Sequence, residues 1–494
     1  MKKIIIGILF SLIGLTAFAQ DFIYREFEYR VIDPKKKTCK LLGTVSEDIE
    51  GDLEVREYVM YKDESYSVTS IGERAFSQCE NLTSITLPNS IEQIQNRAFY
   101  GCKSLVYLRL SNSITAIPDG MCYYCSFLQS IEIPNSVVTI GKYAFEDCTS
   151  LASITLPEHL KSIDWMTFSG CSSLISISFP DSLTEISSQA FEYCSSLEKL
   201  ELPKSLETIG DDAFSFCNKL SSVFIPPSVE EINFSPFAGC ENLKFIDVDE
   251  NNPNYASLDG LLYTKNLEKI IQCPAGLSSV NLADRLTEIG SGAFSYCNNL
   301  TQISLPSSVK KIGYNAFEGC EALQSINLPP SLEIIDSSAF LKCKSLKSIE
   351  IPPLVTKLES LTFGLCNSLE EVTIPAQHFV EVPTDYLFHN KWEFFLYNSP
   401  FWGCDPDMSL YVYEDFINEY KNEYGWTYFF SKILPIAGGS GVDSIPLDES
   451  KPFDVYSLSG VLVKEKAIKE DLRHLTPAVY ILHQGASSKK VQVR

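Results

Sequence analysis

Apolar residues recur along most of this chain in one order. Leu82-x-x-Ile85-x-Leu87 leads to Pro88, then Ser90-Ile91-x-x-Ile94, then Ala98-Phe99-x-x-Cys102. The closing cysteine of this pattern falls at 79, 102, 125, 148, 171, 194, 217 and 240, then at 297, 320, 343 and 366. Every step is 23 residues except the jump of 57 from Cys240 to Cys297. A leucine stands three residues after each of these twelve cysteines, and a phenylalanine stands three before eleven of them, Cys122 being the exception. Alternating apolar positions predict a short strand with one buried face. The proline then ends the ladder, since it has no N–H to donate. The Ala-Phe-x-x-Cys segment supplies a second buried face, read here as a helical turn on the return side. One unit has nowhere to bury these side chains, whereas stacked units bury them against each other.

A period of 20–29 residues with L-x-x-L-x-L is the signature of a leucine-rich repeat. The predicted fold is therefore a leucine-rich-repeat solenoid: right-handed, with one parallel β-sheet, irregular or helical return segments, and a small C-terminal β module. The repeats span 67–375. Leu277-x-x-Val280-x-Leu282 resumes the strand pattern 20 residues before Cys297, which makes a thirteenth strand segment and leaves a preceding unit of 34 residues. Within that long unit, Leu261–Thr264 and Lys269–Gln272 flank a polar turn, so 251–273 reads as a β-hairpin insertion. Before the repeats, 20–66 alternates at Phe27, Tyr29 and Val31 and predicts a β-rich cap. After them, 376–437 loses the period, and Tyr411–Tyr424 carries helix-spaced Phe416, Tyr420 and Tyr424, a degenerate closing cap. Gly438-Gly439-Ser440-Gly441 opens a flexible linker at 438–442, and 443–494 reads as the β module.

Charge and the N-terminus narrow the setting. The 494 residues carry a net charge of −23, which opposes binding to nucleic acid and to anionic membranes. Met1-Lys2-Lys3, the apolar run Ile4–Phe18 and Ala17-Phe18-Ala19 form a secretory signal peptide over 1–19, with Gln20 as the first mature residue. The expected location is outside the cytoplasm: cell surface, extracellular space or periplasm. The mature chain has no run long enough to span a membrane.

The unit Ile-Gly-x-x-Ala-Phe-x-x-Cys-x-x-Leu-x-x-Ile-x-Leu-Pro-x-Ser resembles the BspA-like (Treponema pallidum-type) leucine-rich repeats of bacterial surface proteins. The stretch Asn251–Tyr263 looks like the hairpin insertion common in that family, and Leu410–Trp426 is similar to its closing unit. Asp454–Gly460 and Ala478–Ile481 resemble the C-terminal sorting modules of secreted Bacteroidetes proteins, with Leu475-Thr476-Pro477-Ala478 in place of the usual Leu-Pro-Ala-Gly. The resemblance implies a secreted or surface-exposed protein with a role in adhesion and protein or host-matrix binding.

The cysteine ladder invites readings as disulfides or as metal ligands, since neighbouring turns bring sulfurs close and export favours oxidation. Each cysteine nevertheless shares the register of the apolar Phe and Leu columns, where a free thiol acts as a small hydrophobe. Buried thiols are the favoured reading, and neither a metal nor a cofactor is expected. The serines at 90, 113, 136, 182, 205, 228, 308 and 331 stand at a turn, where a hydroxyl bonds to nearby backbone. None of the five histidines (His159, His378, His389, His474 and His483) sits in a metalloprotease or nucleophile-elbow context. Carboxylate pairs such as Asp211-Asp212 and Glu230-Glu231 lie at variable positions, and a regular solenoid offers no cleft for a glycosidase pair. No enzyme is expected and no catalytic residue is assigned.

Binding then falls to the outward positions of the strands, which are mostly Ser, Thr, Glu and Gln. One stretch differs: Lys199, Glu201, Phe224, Lys244 and Phe245 fall on three adjacent strands before the insertion. Exposed aromatics flanked by charges suit a binding hot spot. An alternative has Phe224 and Phe245 packed beneath the hairpin, and both readings stay open at this point. The leading function is a secreted or surface-displayed, non-enzymatic scaffold that binds or adheres to an extracellular protein. One alternative is a glycan-binding accessory of a surface uptake system, with Phe224, Phe245 and Tyr107 as platforms. The other is an unrecognised hydrolase.

Overall fold

A computed structural model describes residues 20–45, 49–383 and 399–436, together with four strands at 453–457, 462–467, 478–484 and 487–493. Residues 1–19, read above as a signal peptide, and 438–442, read as a linker, lie outside these residues. The chain divides into two compact units, Met1–Leu160 and Lys161–Arg494.

The first unit opens with a sheet in which Asp21–Tyr24, Phe27–Asp33 and Thr38–Thr44 pair antiparallel, and Thr38–Thr44 then pairs parallel with Glu64–Ile71. Phe27, Tyr29 and Val31 point inward, as their alternation requires. Gly51–Glu54 leaves this sheet to begin a parallel ladder that continues through Leu82–Thr86, Tyr107–Arg109, Ser130–Glu132 and Ser153–Thr155. Ile85 pairs with Leu108, and Ile131 with Ile154, so the 23-residue step of the sequence is the register of the sheet.

The second unit repeats this plan. Its ladder runs as the bridge Ser176–Lys199, then Ser222–Ile225 with Phe245–Val248, then Gln302–Ser304 with Ser325–Asn327. Ser348–Glu350, Glu371–Ile374, Ser409–Val412 and Lys432–Pro435 follow as a parallel sheet. Short helices at Ile417–Asn422 and Tyr424–Thr427 close this end. Trp426 is fully buried there against Phe401, Tyr420 and Phe430, and its indole N–H donates to the Val380 carbonyl at 3.2 Å. The phenylalanine column forms a continuous ring stack, with Phe294, Phe317, Phe340, Phe363 and Phe401 spaced 4.9 to 5.5 Å apart. The solenoid fold class read from the sequence is the fold observed.

Two details of that reading need correction. First, the return side is neither helical nor without a sheet. Each unit carries a second parallel ladder, two residues wide, for example Ser162–Ile163, Glu185–Ile186, Thr208–Ile209 and Glu231–Ile232. The Ala-Phe-x-x-Cys segment beyond it is a stacked turn. The Arg97, Phe99 and Gly101 N–H groups donate forward to Asp119, Met121 and Tyr123 on the next rung, while Tyr100 and Cys102 bond locally to Arg97 and Phe99. A helix would point these N–H groups along one axis toward residues four earlier and send none to the next rung. Here alternate donors hold neighbouring rungs together.

Second, Leu277–Leu282 fills the thirteenth strand position without forming a strand. The insertion explains why. Tyr255–Leu258, Leu261–Thr264 and Lys269–Gln272 form an antiparallel meander, and the last strand joins the second ladder beside Glu288–Ile289. Its turn places the Gly260 carbonyl 2.9 Å from the Ile246 N–H, so the forward edge of Phe245–Val248 is already bonded. Leu277, Val280 and Leu282 still pack against the core as half-buried side chains.

Candidate functional site

The chemically reactive column is the thiol ladder. All sixteen cysteines are free thiols and only Cys404 is not fully buried. Ladder thiols donate to a carbonyl one rung back. Cys102 bonds Phe76 at 3.0 Å and Cys125 bonds Phe99 at 3.1 Å in the first unit; Cys194 bonds Phe168 at 3.2 Å and Cys320 bonds Phe294 at 3.0 Å in the second. This accounts for the residue type: cysteine fills the space of a small hydrophobe and also carries a donor. Burial pushes the Cys194 and Cys404 thiols well up, and Cys39 up to about 12. A thiol held neutral is a poor nucleophile and a poor metal ligand. Among the described residues, no group of three or more His, Cys, Asp or Glu side chains is placed to hold a metal ion.

The serine column is structural too. Ser205 donates to the Leu183 carbonyl at 2.6 Å and Ser228 to Leu206 at 2.7 Å. Ser308 lies 2.6 Å from the Leu286 carbonyl and Ser331 2.7 Å from that of Val309. Each hydroxyl ties its turn to the rung before it.

The five binding candidates all lie on the outward face of the second unit's ladder. Phe224 and Phe245 are each 52% exposed, while the residues between the outward positions, Val223 and Ile246, are buried. Pairing sets Phe224 beside Asp247 and Phe245 beside Ser222, so the two rings are diagonal neighbours on one face. Lys199 holds the column of Ser222 and Phe245 one repeat earlier, and Glu201 that of Phe224; both are exposed, as is Lys244. The insertion flanks Phe245 without covering it. A Cβ added at Gly260, whose φ is 79°, would stand 3.0 Å from the Phe245 ring. Tyr107 is also exposed and belongs to the first unit.

A second surface lies on the stacked turns, and the repeat pattern did not single it out. The residue before each ladder cysteine has a left-handed backbone: Tyr193 (φ 59°), Phe216 (60°), Gly239 (67°), Tyr296 (58°), Gly319 (69°) and Lys342 (63°). That conformation costs a non-glycine residue about 1 kcal/mol or more. It also aims side chains along the stack. The Phe216 ring lies over Gly239, and the Tyr296 ring over Gly319, in space that a Cβ would fill at 2.5 Å. Tyr193 stacks on Phe216 at 4.7 Å, and Tyr296 meets Phe216 edge-on at 4.9 Å. The available signal was the alternation of large residues with glycine in this one column.

Carboxylates line the same surface. Glu192 accepts from the Gln189 amide at 2.8 Å, and Asp212 from the Ser215 hydroxyl at 2.9 Å. Burial, reinforced by the charge of Asp212, raises Glu192 to about 7. Burial, reinforced by Asp211 and Glu318, raises Asp212 to about 6. Glu318 instead pairs with Lys342 at 3.0 Å and accepts from the Tyr296 hydroxyl at 3.2 Å.

A family model described as a BspA-type leucine-rich repeat region matches this chain in six copies, over residues 63–164, 138–257 and 271–392. The chain belongs to the BspA-type leucine-rich-repeat family. A leucine-rich cell surface protein of Faecalibacterium prausnitzii A2-165 is 26% identical, with a TM-score of 0.55 over 73% of this chain and 90% of that one. A leucine-rich-repeat protein of Bacteroides ovatus is 27% identical over 80% of this chain and all of that one, with a TM-score of 0.46. No curated protein matches the chain. Membership of the BspA-type family makes this a repeat scaffold of a kind typically used for binding rather than catalysis. Among the described residues of this BspA-type chain, no helix is long and apolar enough to cross a membrane.

Proposed function

We propose that this chain is an exported, non-enzymatic scaffold that binds a protein ligand outside the cytoplasm through the outward ladder face of its second unit. One observation carries the reading. Phe224 and Phe245 stand half-exposed on adjacent strands of a mostly polar face on which Ile175 is a further exposed apolar residue. Rigid strands hold both rings in place before a ligand arrives, so little ordering cost remains. Lys199, Glu201 and Lys244 would form the polar rim around this apolar centre. Adhesion is the use that fits a cell-surface relative.

The test is a pull-down of the chain from Gln20 onward against extracellular host proteins, with a glycan array alongside. Phe224→Ala plus Phe245→Ala should weaken capture by about 2 kcal/mol or more, as hot-spot aromatics do. Unchanged affinity would remove this face from consideration. Capture of glycans alone, lost in the same variant, would favour the sugar-platform alternative.

A further inference from the structure

The turn surface of the second unit holds something the repeat does not need. Its aromatic row is half-exposed, with Tyr193 at 50%, and it lies beside two carboxylates whose hydrogen bonds come from an amide and a hydroxyl, not from a cation. Nearby on the same surface, the chain shows what such a setting accepts. The Lys342 ammonium sits 3.0 Å from Glu318 and 6.0 Å from the centre of the Tyr296 ring. A cation between a carboxylate and an aromatic ring gains from both.

We propose that this surface, centred on Tyr193, Phe216, Glu192 and Asp212, is a second interaction face whose partner is a basic protein segment presenting arginine or lysine side chains. Charge complementarity selects that partner. The face offers the carboxyl groups of Glu192, Asp211 and Asp212 beside the Glu318–Lys342 pair, and although burial raises Glu192 and Asp212 toward neutral pH, an incoming cation would draw both into the charged form. A second copy of this chain would bring a like charge and be repelled. Arginine fits best, because its planar guanidinium stacks on rings and bonds carboxylates in pairs. The proposal does not rest on the strand-face reading, which uses other residues on another face.

The test uses the full chain and two synthetic probes, a peptide alternating arginine with serine and one alternating glutamate with serine. Binding is followed by surface plasmon resonance at moderate salt. Glu192→Gln plus Asp212→Asn keeps both hydrogen-bond acceptors, and Tyr193→Ala removes the ring. Glu370→Gln plus Glu371→Gln makes the same charge change at exposed positions elsewhere in the unit. The expected result is that the arginine peptide binds, the site pair weakens it about tenfold, Tyr193→Ala weakens it several-fold, and the control pair changes it less than about twofold. Equal losses in the site and control pairs would mean general attraction to an acidic chain and would overturn the proposal. So would failure of the arginine peptide to bind, or equal binding of the glutamate peptide.

Discussion

Glu192 and Asp212 make stability depend on pH in an unusual direction. Both are raised in the folded chain, from 4.5 to about 7 and from 3.8 to about 6, with burial as the first cause in each case. The groups around them are Asp211 and Glu318, which repel, Gln189 and Ser215, which donate, and Tyr193, Tyr296 and Lys342 at the rim. A raised folded value means that folding favours the protonated form. The associated stability is complete below the unfolded values near 4 and is lost as pH rises through about 6 to 7. Each shift of roughly two units converts to about 3 kcal/mol. Because the two groups act on each other and are only part-buried, the pair together is assigned about 2–4 kcal/mol.

The perturbation is Glu192→Gln plus Asp212→Asn, which fixes the neutral form while keeping the bonds from Gln189 and Ser215. Urea melts from about pH 4 to pH 8 would report the local transition. The wild type and the variant should be close at the acid end, and the variant should gain about 2–4 kcal/mol over the wild type by the alkaline end. A gap that stays flat with pH, or that widens toward acid, would refute the reasoning. The carboxylates that are lowered, such as Asp33 and Asp249, act below this window and leave the comparison untouched.

Three further expectations follow from named contacts. Gly239→Ala should cost about 2–4 kcal/mol in urea melts, since its Cβ would meet the Phe216 ring at 2.5 Å on a left-handed backbone; a neutral result would mean that the ring moves freely. The fifteen buried thiols should resist a thiol reagent in the folded chain, and all sixteen should react once it is denatured without reductant. Fewer than half reacting after denaturation would point to disulfides. Trp426→Ala should destabilise by about 3–5 kcal/mol, because it empties the closing cap and frees the Val380 carbonyl, and hydrogen exchange should rise first in Lys432–Pro435.

How much of this was legible in the sequence depends on which way a residue points. Leu82, Ile85, Phe99 and Cys102 face inward, where every rung meets the same neighbours, so the period exposes them. The second ladder stayed hidden because its strands are two residues long, too short for alternation to register. The loss of the strand at Leu277–Leu282 depended on a long-range event, the Gly260 carbonyl reaching Ile246, which no local pattern encodes. Phe224 and Phe245 could be placed outward because the strand period fixes parity. The turn surface could not be placed that way, since its direction comes from left-handed backbones at Tyr193 and Phe216. What it left in the sequence was a faint alternation, Phe216 then Gly239, Tyr296 then Gly319. That alternation records one packing arrangement between rungs, a ring laid over a glycine at the next position, whereas Tyr193 and Phe216 stack ring on ring. Binding surfaces on this scaffold are therefore best sought where the inward columns stay regular and the outward columns break their own habit, as they do at Phe224 and Phe245 and again from Tyr193 to Lys342.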